Sequence, residues 1–196
     1  MLTNKLRIII VDDEPIIRLD LQTMIEKAGY DVVGECADGF EAIRLCRKEK
    51  PDVAILDIRM TDLDGFSAAK IINKDCPMTA IIMLTAYSKG EYIEKAKECN
   101  INSYLVKPVT EQMLIPNIEL AVARKKEVLQ YEQDIIKAKE ILEGRKVVDR
   151  AKGILMTKRD MNEDEAYNYI RTISKNNNMA MAKVAAIILD KYRDIR

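Results

Sequence analysis

The 196-residue sequence has no histidine, no tryptophan, only two phenylalanines, and four cysteines without a CxxC pair. Each absence removes a class of chemistry. Without histidine there is no Ser-His-Asp or Cys-His triad and no histidine-containing zinc site. Cys36, Cys46, Cys76 and Cys99 are far apart and lie in or beside apolar patterns. Buried free thiols in a reducing compartment are therefore expected, not a disulfide framework. No apolar run approaches the roughly 18 residues of a membrane span, and the first residues lead straight into a strand pattern. Neither a signal peptide nor a membrane partner is expected, and the chain reads as cytoplasmic.

Excess charge of one sign is also missing, because 32 Lys+Arg cancel 32 Asp+Glu. The cancellation hides an asymmetry. Residues 1–110 carry 15 basic and 18 acidic side chains, net −3, whereas residues 111–196 carry 17 and 14, net +3. In the stretch 145–159, Arg145, Lys146, Arg150, Lys152, Lys158 and Arg159 are opposed only by Asp149. The composition, 48% apolar and 33% charged, is that of a folded, helix-rich chain. At roughly 150 residues per domain, the length allows one domain or two small ones.

Residues 6–11 (LRIIIV), 31–36 (DVVGEC), 52–57 (DVAILD), 79–85 (TAIIMLT) and 101–106 (INSYLV) read as five strands. Helical patterns separate them at 15–28, 39–49, from about Gly65, and at 89–98. Alternation of this kind predicts a parallel sheet with helices on both faces, an α/β fold of the flavodoxin-like type. After Glu111 no strand pattern remains. A long helix is expected from near Thr110, with Pro116 in its first turns. Apolar doublets at 121–122, 128–129, 135–136 and 141–142 recur at nearly heptad spacing, which predicts a dimerising coiled coil, the alternative being intramolecular packing of an ordinary helix. A compact three-helix unit follows, with Asn162 as the cap of its second helix and Gly153 as a point of close helix approach.

Function gathers at the strand ends. Asp12 and Asp13 follow the first strand, Asp57 ends the third, Thr85 ends the fourth and Lys107 follows the fifth. In parallel sheets these carboxyl ends share one crevice. Three carboxylates there need a cation, and an all-oxygen donor set favours a hard ion such as Mg²⁺. A lysine ammonium and a threonine hydroxyl suit phosphoryl oxygens, with a carboxylate as nucleophile giving an aspartyl phosphate.

Residues 5–121 resemble the receiver domain of two-component response regulators, through VDDE (11–14), ILDIRM (55–60), DG (64–65), TA (85–86) and YLVKP (104–108). The resemblance implies that Asp57 is the phospho-acceptor. It also implies that Asp13, Asp57 and the backbone carbonyl of Arg59 hold Mg²⁺ with help from Asp12. Thr85 and Lys107 would bind phosphoryl oxygens, Tyr104 would be the switch aromatic, and Lys107–Pro108 a cis peptide. Thr61 departs from the family pattern, which has proline there.

Residues 135–196, joined by a helical linker at 122–134, resemble the ANTAR domain of antitermination regulators. The likeness rests on RKVVDRAKGILMTKRDMNEDEAYNYIRTIS (145–174) and MAKVAAIIL (181–189). The whole is similar to receiver–ANTAR regulators of amine or amide catabolism, such as those for ethanolamine utilisation. The implied partners are a sensor histidine kinase, a second copy of the phosphorylated chain, and RNA with paired hairpins that competes with a terminator. Arg145, Lys146, Arg150, Lys152, Lys158, Arg159, Arg171 and Lys183, with Tyr167 as the aromatic, are the candidate RNA contacts. A regulator is expected, not an enzyme. The alternative is a phosphorylation-dependent DNA-binding regulator whose last two helices form a helix-turn-helix.

Overall fold

Each of the five apolar runs becomes a strand in the computed structural model, which describes residues 5–86 and 99–192. The strands are β1 (Arg7–Val11), β2 (Asp31–Cys36), β3 (Val53–Asp57), β4 (Ala80–Thr85) and β5 (Ser103–Val106). All pair in parallel, in the order β2-β1-β3-β4-β5. This is the expected flavodoxin-like sheet.

Period-two alternation divides the sheet between two cores. Ile8, Ile10, Val53, Ile55, Ile82 and Leu84 face one side, where they meet Leu21 and Ile25 of α1 (Pro15–Lys27). Ile9, Val11, Ala54, Leu56, Ile81 and Met83 face the other, against α2 (Gly39–Glu49) and α3 (Gly65–Asp75). The central strands are buried on both faces, which explains why their sequences are continuous apolar runs. Local signals set the helix starts. The Asp38 side chain accepts from the Glu41 N–H, and Asp64 accepts from the N–H groups of Phe66 and Ser67. Gly29, at φ +89°, occupies a positive-φ position after α1. The helix expected over 89–98 lies outside the described residues.

The long helix, α4, runs from Glu111 to Arg159 and contains both Pro116 and Gly144. Thr110 precedes it, its carbonyl accepting from the N–H groups of Met113 and Leu114. Leu114, Ile118 and Ala121 pack on the core face that holds Leu105. The first apolar doublet, Ala121–Val122, therefore belongs to the interior of the sheet domain and not to an intermolecular seam. The later positions differ: Val128, Ile135, Ile136, Ile141 and Leu142 are all exposed. The stripe open to a partner is thus shorter than the periodicity suggested.

The chain divides into two compact units, Met1–Gln130 and Tyr131–Arg196. In the second, the C-terminal part of α4 packs with α5 (Glu163–Asn176) and α6 (Met181–Lys191). Its core is Ala151, Leu155, Ala166, Ile170, Val184, Ala185 and Ile188. Asn162 caps α5 as expected and forms a reciprocal capping box with Glu165. The expectation for Gly153 is corrected. A Cβ there would meet nothing within 4 Å, so no helix approaches it closely, whereas one on Gly144 would lie 3.3 Å from the Cβ of Ala182.

Among the described residues, no helix is long and apolar enough to cross a membrane. All four cysteines are free thiols; Cys36, Cys46 and Cys99 are buried and Cys76 is half-buried. Burial pushes the Cys36 thiol up to about 12, with the nearby Glu41 and Asp38 charges adding to the shift, so it stays protonated.

Candidate functional site

Strand order reverses between β1 and β3, and the crevice at their carboxyl ends holds the polar cluster. The cavity there has a volume of 280 Å³ and is lined by Asp13, Glu14, Asp57, Arg59, Thr85 and Lys107, with Ile58 and Ala86. Asp12 lies beneath it, 0% exposed, and Asp57 is 6% exposed. Lys107 joins the two: its Nζ is 2.6 Å from Asp12 Oδ2 and 2.9 Å from Asp57 Oδ1. The backbone holds each carboxylate in place. The Arg59 N–H donates to Asp57 Oδ2 at 2.9 Å, and the Glu14 N–H donates to Asp12 Oδ1 at 3.0 Å. Arg18 of α1 donates through Nη1 to the Asp12 carbonyl at 2.8 Å. The Lys107 N–H donates to the Thr85 carbonyl at 2.7 Å, tying the ends of β4 and β5 together. The Lys107–Pro108 peptide is cis.

Electrostatics follow from this packing. Burial raises the Asp57 carboxyl above the ordinary range, and the hydrogen bond and charge of Lys107 oppose that shift without cancelling it. Burial alone would lower Lys107, but its hydrogen bonds to Asp12 and Asp57 outweigh it and hold the ammonium above its usual range. A buried carboxylate and a fixed ammonium thus share one small, partly enclosed volume.

The donor set fits a hard divalent ion. Asp12, Asp13 and Glu14 each place a carboxylate oxygen within 4.8 Å of the others. The cavity adds Asp57 beside them, and its described lining offers oxygen donors without a thiolate. Glu14 was not among the sequence candidates. It stands in the same acidic run as Asp12 and Asp13, and its Oε1 is 4.0 Å from Lys107 Nζ. Tyr104 is half-buried against the α2/α3 side of the sheet and does not line the cavity.

The basic candidates of the helical unit fall into two groups. Lys152 is held inside the unit, 2.9 Å from Asp149 and 2.7 Å from Glu163, and the Glu163 hydrogen bond is the main cause that raises its pKa. Arg159 donates to the Tyr192 hydroxyl at 2.9 Å and lies 4.9 Å over the ring of Tyr169. Lys146 pairs with Glu143 at 2.6 Å. Arg145, Arg150, Lys158, Arg171 and Lys183 are exposed and make no ion pair among the described residues. Tyr167 is 42% exposed.

Residues 8–119 match the response regulator receiver domain family, and residues 137–189 match the ANTAR domain family. The chain belongs to the response regulator family. The transcriptional regulatory protein PdtaR of Mycobacterium tuberculosis is 40% identical to this regulator over 184 residues, covering 94% of this chain and 89% of PdtaR. The chemotaxis protein CheY of Thermotoga maritima is 36% identical over 102 residues, 52% of this chain and 85% of CheY. Among solved structures, the receiver domain of a modulated diguanylate cyclase from Desulfovibrio desulfuricans superposes with a TM-score of 0.59 at 34% identity. It spans 63% of the regulator and 98% of that chain. The receiver of NarL from Mycobacterium tuberculosis gives a TM-score of 0.56 at 27% identity, spanning 62% and 97%. A receiver followed by an ANTAR domain is the architecture of a regulator rather than an enzyme.

One contact in this regulator's site is unusually tight. A Cβ at Gly65 would lie 2.1 Å from the carbonyl oxygen of Asp57. Gly65→Ala is expected to push the end of β3 away, costing about 3 kcal/mol as overpacking. Denaturant unfolding followed by circular dichroism measures that loss. Wild-type stability in the variant would show that the loop moves freely.

Proposed function

We propose that this response regulator accepts a phosphoryl group on Asp57 from a sensor histidine kinase. It then dimerises through α4 and binds RNA with paired hairpins, preventing formation of a terminator. The observation that carries this reading is the Asp57 carboxylate at the end of β3, engaged by Lys107 at 2.9 Å in a cavity shared with Thr85.

The chemistry is in-line transfer. An Asp57 oxygen forms a bond to phosphorus while the bond from phosphorus to the donor nitrogen breaks. Lys107 and the Thr85 hydroxyl take the phosphoryl oxygens, and the Arg59 N–H, already bonded to the Asp57 carboxylate, holds the nucleophile in line. Asp12, Asp13, Asp57 and the Arg59 carbonyl, with Glu14 beside them, would hold Mg²⁺, which supplies positive charge against the transferring group.

Phosphorylation adds roughly −1.5 to −2 charges, drawing Thr85 and Lys107 toward the new oxygens, with Tyr104 reorienting behind them. Moving a population from 1:99 to 99:1 takes about 5.5 kcal/mol. A single phosphate shares that demand with dimerisation and RNA binding. Ile135 and Ile136, 54% and 56% exposed on successive positions of α4, supply apolar surface for a second copy.

DNA reading by α6 is disfavoured. A recognition helix reads bases with residues near its N-terminus, but Val184 and Ala185 are buried in the helical core and Met181 packs against it. The test is Ile135→Asp combined with Ile136→Asp, compared with the parent by analytical ultracentrifugation in the presence of acetyl phosphate. The parent is expected to form dimers. The variant is expected to stay monomeric and to lose RNA affinity by more than tenfold. A dimeric variant would remove α4 as the interface.

A further inference from the structure

The helical unit carries a groove of 550 Å³ between α4, α5 and α6. Its apolar walls are formed by Ile141, Val148, Met181 and Ala182, Tyr167 stands on the α5 side, and the carboxylates Glu140 and Asp149 also line it. Gly144 and Ala182 are both in the lining, where a Cβ on Gly144 would lie 3.3 Å from the Cβ of Ala182. Lys152 forms part of the lining, but Asp149 and Glu163 already neutralise it. Arg145 lines the same groove, is exposed, and makes no ion pair among the described residues. Arg171, one turn along α5 from Tyr167, and Lys183, next to Ala182, are likewise exposed without an ion pair there.

We propose that this groove receives one unstacked base of an RNA hairpin loop, stacked on Tyr167, with the adjoining phosphate at Arg145. The proposal rests on the RNA-binding reading and gives it a site. Two features select this occupant. A flat aromatic beside apolar walls suits the face of a base, and Arg145 in the lining, with Arg171 one turn from Tyr167, suits a phosphodiester chain. The cations then divide by role. Arg145, Arg171 and Lys183 contact RNA, whereas Lys152 and Arg159 hold the helices together.

The test uses the full chain treated with acetyl phosphate. The probe is a hairpin RNA that the protein itself selects from a pool with a randomised loop. Tyr167→Ala is expected to weaken binding about ten- to a hundredfold, while Tyr167→Phe retains it. Abasic substitutions along the loop provide the decisive readout. One position is expected to cost the parent about as much as Tyr167→Ala does, and to cost the Tyr167→Ala protein nothing further. Circular dichroism checks that both variants keep the parent's helix content.

Equal binding by Tyr167→Ala and parent would overturn the proposal, as would additive losses at every abasic position. So would a change confined to dimerisation, which would assign the groove to a second copy. If the parent selects no RNA, the functional reading falls and takes this inference with it. Selection by the parent together with an inert Tyr167 removes the inference alone.

Discussion

Lys107→Met is expected to destabilise the receiver by about 3–5 kcal/mol in the absence of divalent ions, the usual cost of removing one partner of a buried ion pair. Lys107 has only 15% of its side chain exposed and stands within 3 Å of two carboxylates that are themselves buried. Methionine fills a similar volume, so the loss comes from leaving Asp12 and Asp57 facing each other without a counter-charge. Denaturant melts of the full chain measure it. Two companion results separate electrostatics from packing. Asp12→Asn added to Lys107→Met should recover much of the stability, because one of the two opposed charges is gone. Millimolar Mg²⁺ should raise the melting temperature of Lys107→Met more than that of the parent, since the lysine no longer repels the dication. A Lys107→Met protein as stable as the parent, with an unchanged response to Mg²⁺, would show that the ammonium does not balance the cluster.

The strand ends made this cluster legible in the sequence. Asp12, Asp57, Thr85 and Lys107 are separated by up to 95 positions, yet each directly follows or ends an apolar run. A parallel sheet brings such positions together whatever the lengths of the helices between them. Glu14 stands one residue past the acidic pair that follows β1, just before Pro15 opens α1, and its side chain makes no capping hydrogen bond there. The fold puts it in the cavity lining, with its carboxylate among those of Asp12 and Asp13 and 4.0 Å from Lys107.

The helical unit was legible as a set of helices and less so as a surface. The i, i+3, i+4, i+7 spacing of Ala166, Tyr169, Ile170 and Ile173 puts them on one face of α5, and all four lie in or against the core. It could not separate structural cations from free ones. The Lys152–Glu163 contact crosses 11 residues and a turn, so no i,i+4 rule reveals it. The same limit applies to Arg159, whose partner Tyr192 is 33 residues away. Gly153 misled for a related reason: a glycine within a helical pattern suggests close approach, but which neighbour approaches depends on helix rotation. That rotation turns Gly144 toward α6 instead. The first doublet of the α4 stripe failed similarly, because Ala121 keeps the heptad rhythm while packing inside the receiver.

Asp57→Asn is expected to abolish phosphoryl incorporation from acetyl phosphate, and with it any phosphodonor-dependent dimerisation or RNA binding. An amide is no nucleophile toward phosphorus here, and no other carboxylate duplicates its position. Asp12 is fully buried beneath the cavity, whereas Asp13 and Glu14 are exposed. The fold should not suffer. Burial already raises the Asp57 carboxyl, so the folded chain disfavours the charged form. A folded-state pKa above the unfolded one costs stability at neutral pH, and the cost fades as pH falls through the folded value. Asn carries no such cost, so the variant should be at least as stable as the parent at neutral pH. The difference should narrow on acidification into the carboxylate range. Phosphate incorporation read by mass spectrometry, beside melts at neutral and acidic pH, tests both halves together. Undiminished incorporation in Asp57→Asn would move the phospho-acceptor elsewhere. Loss of incorporation with loss of the fold would make Asp57 a structural residue. Loss of incorporation in a fully stable protein is the outcome that the buried, lysine-paired carboxylate leads us to expect.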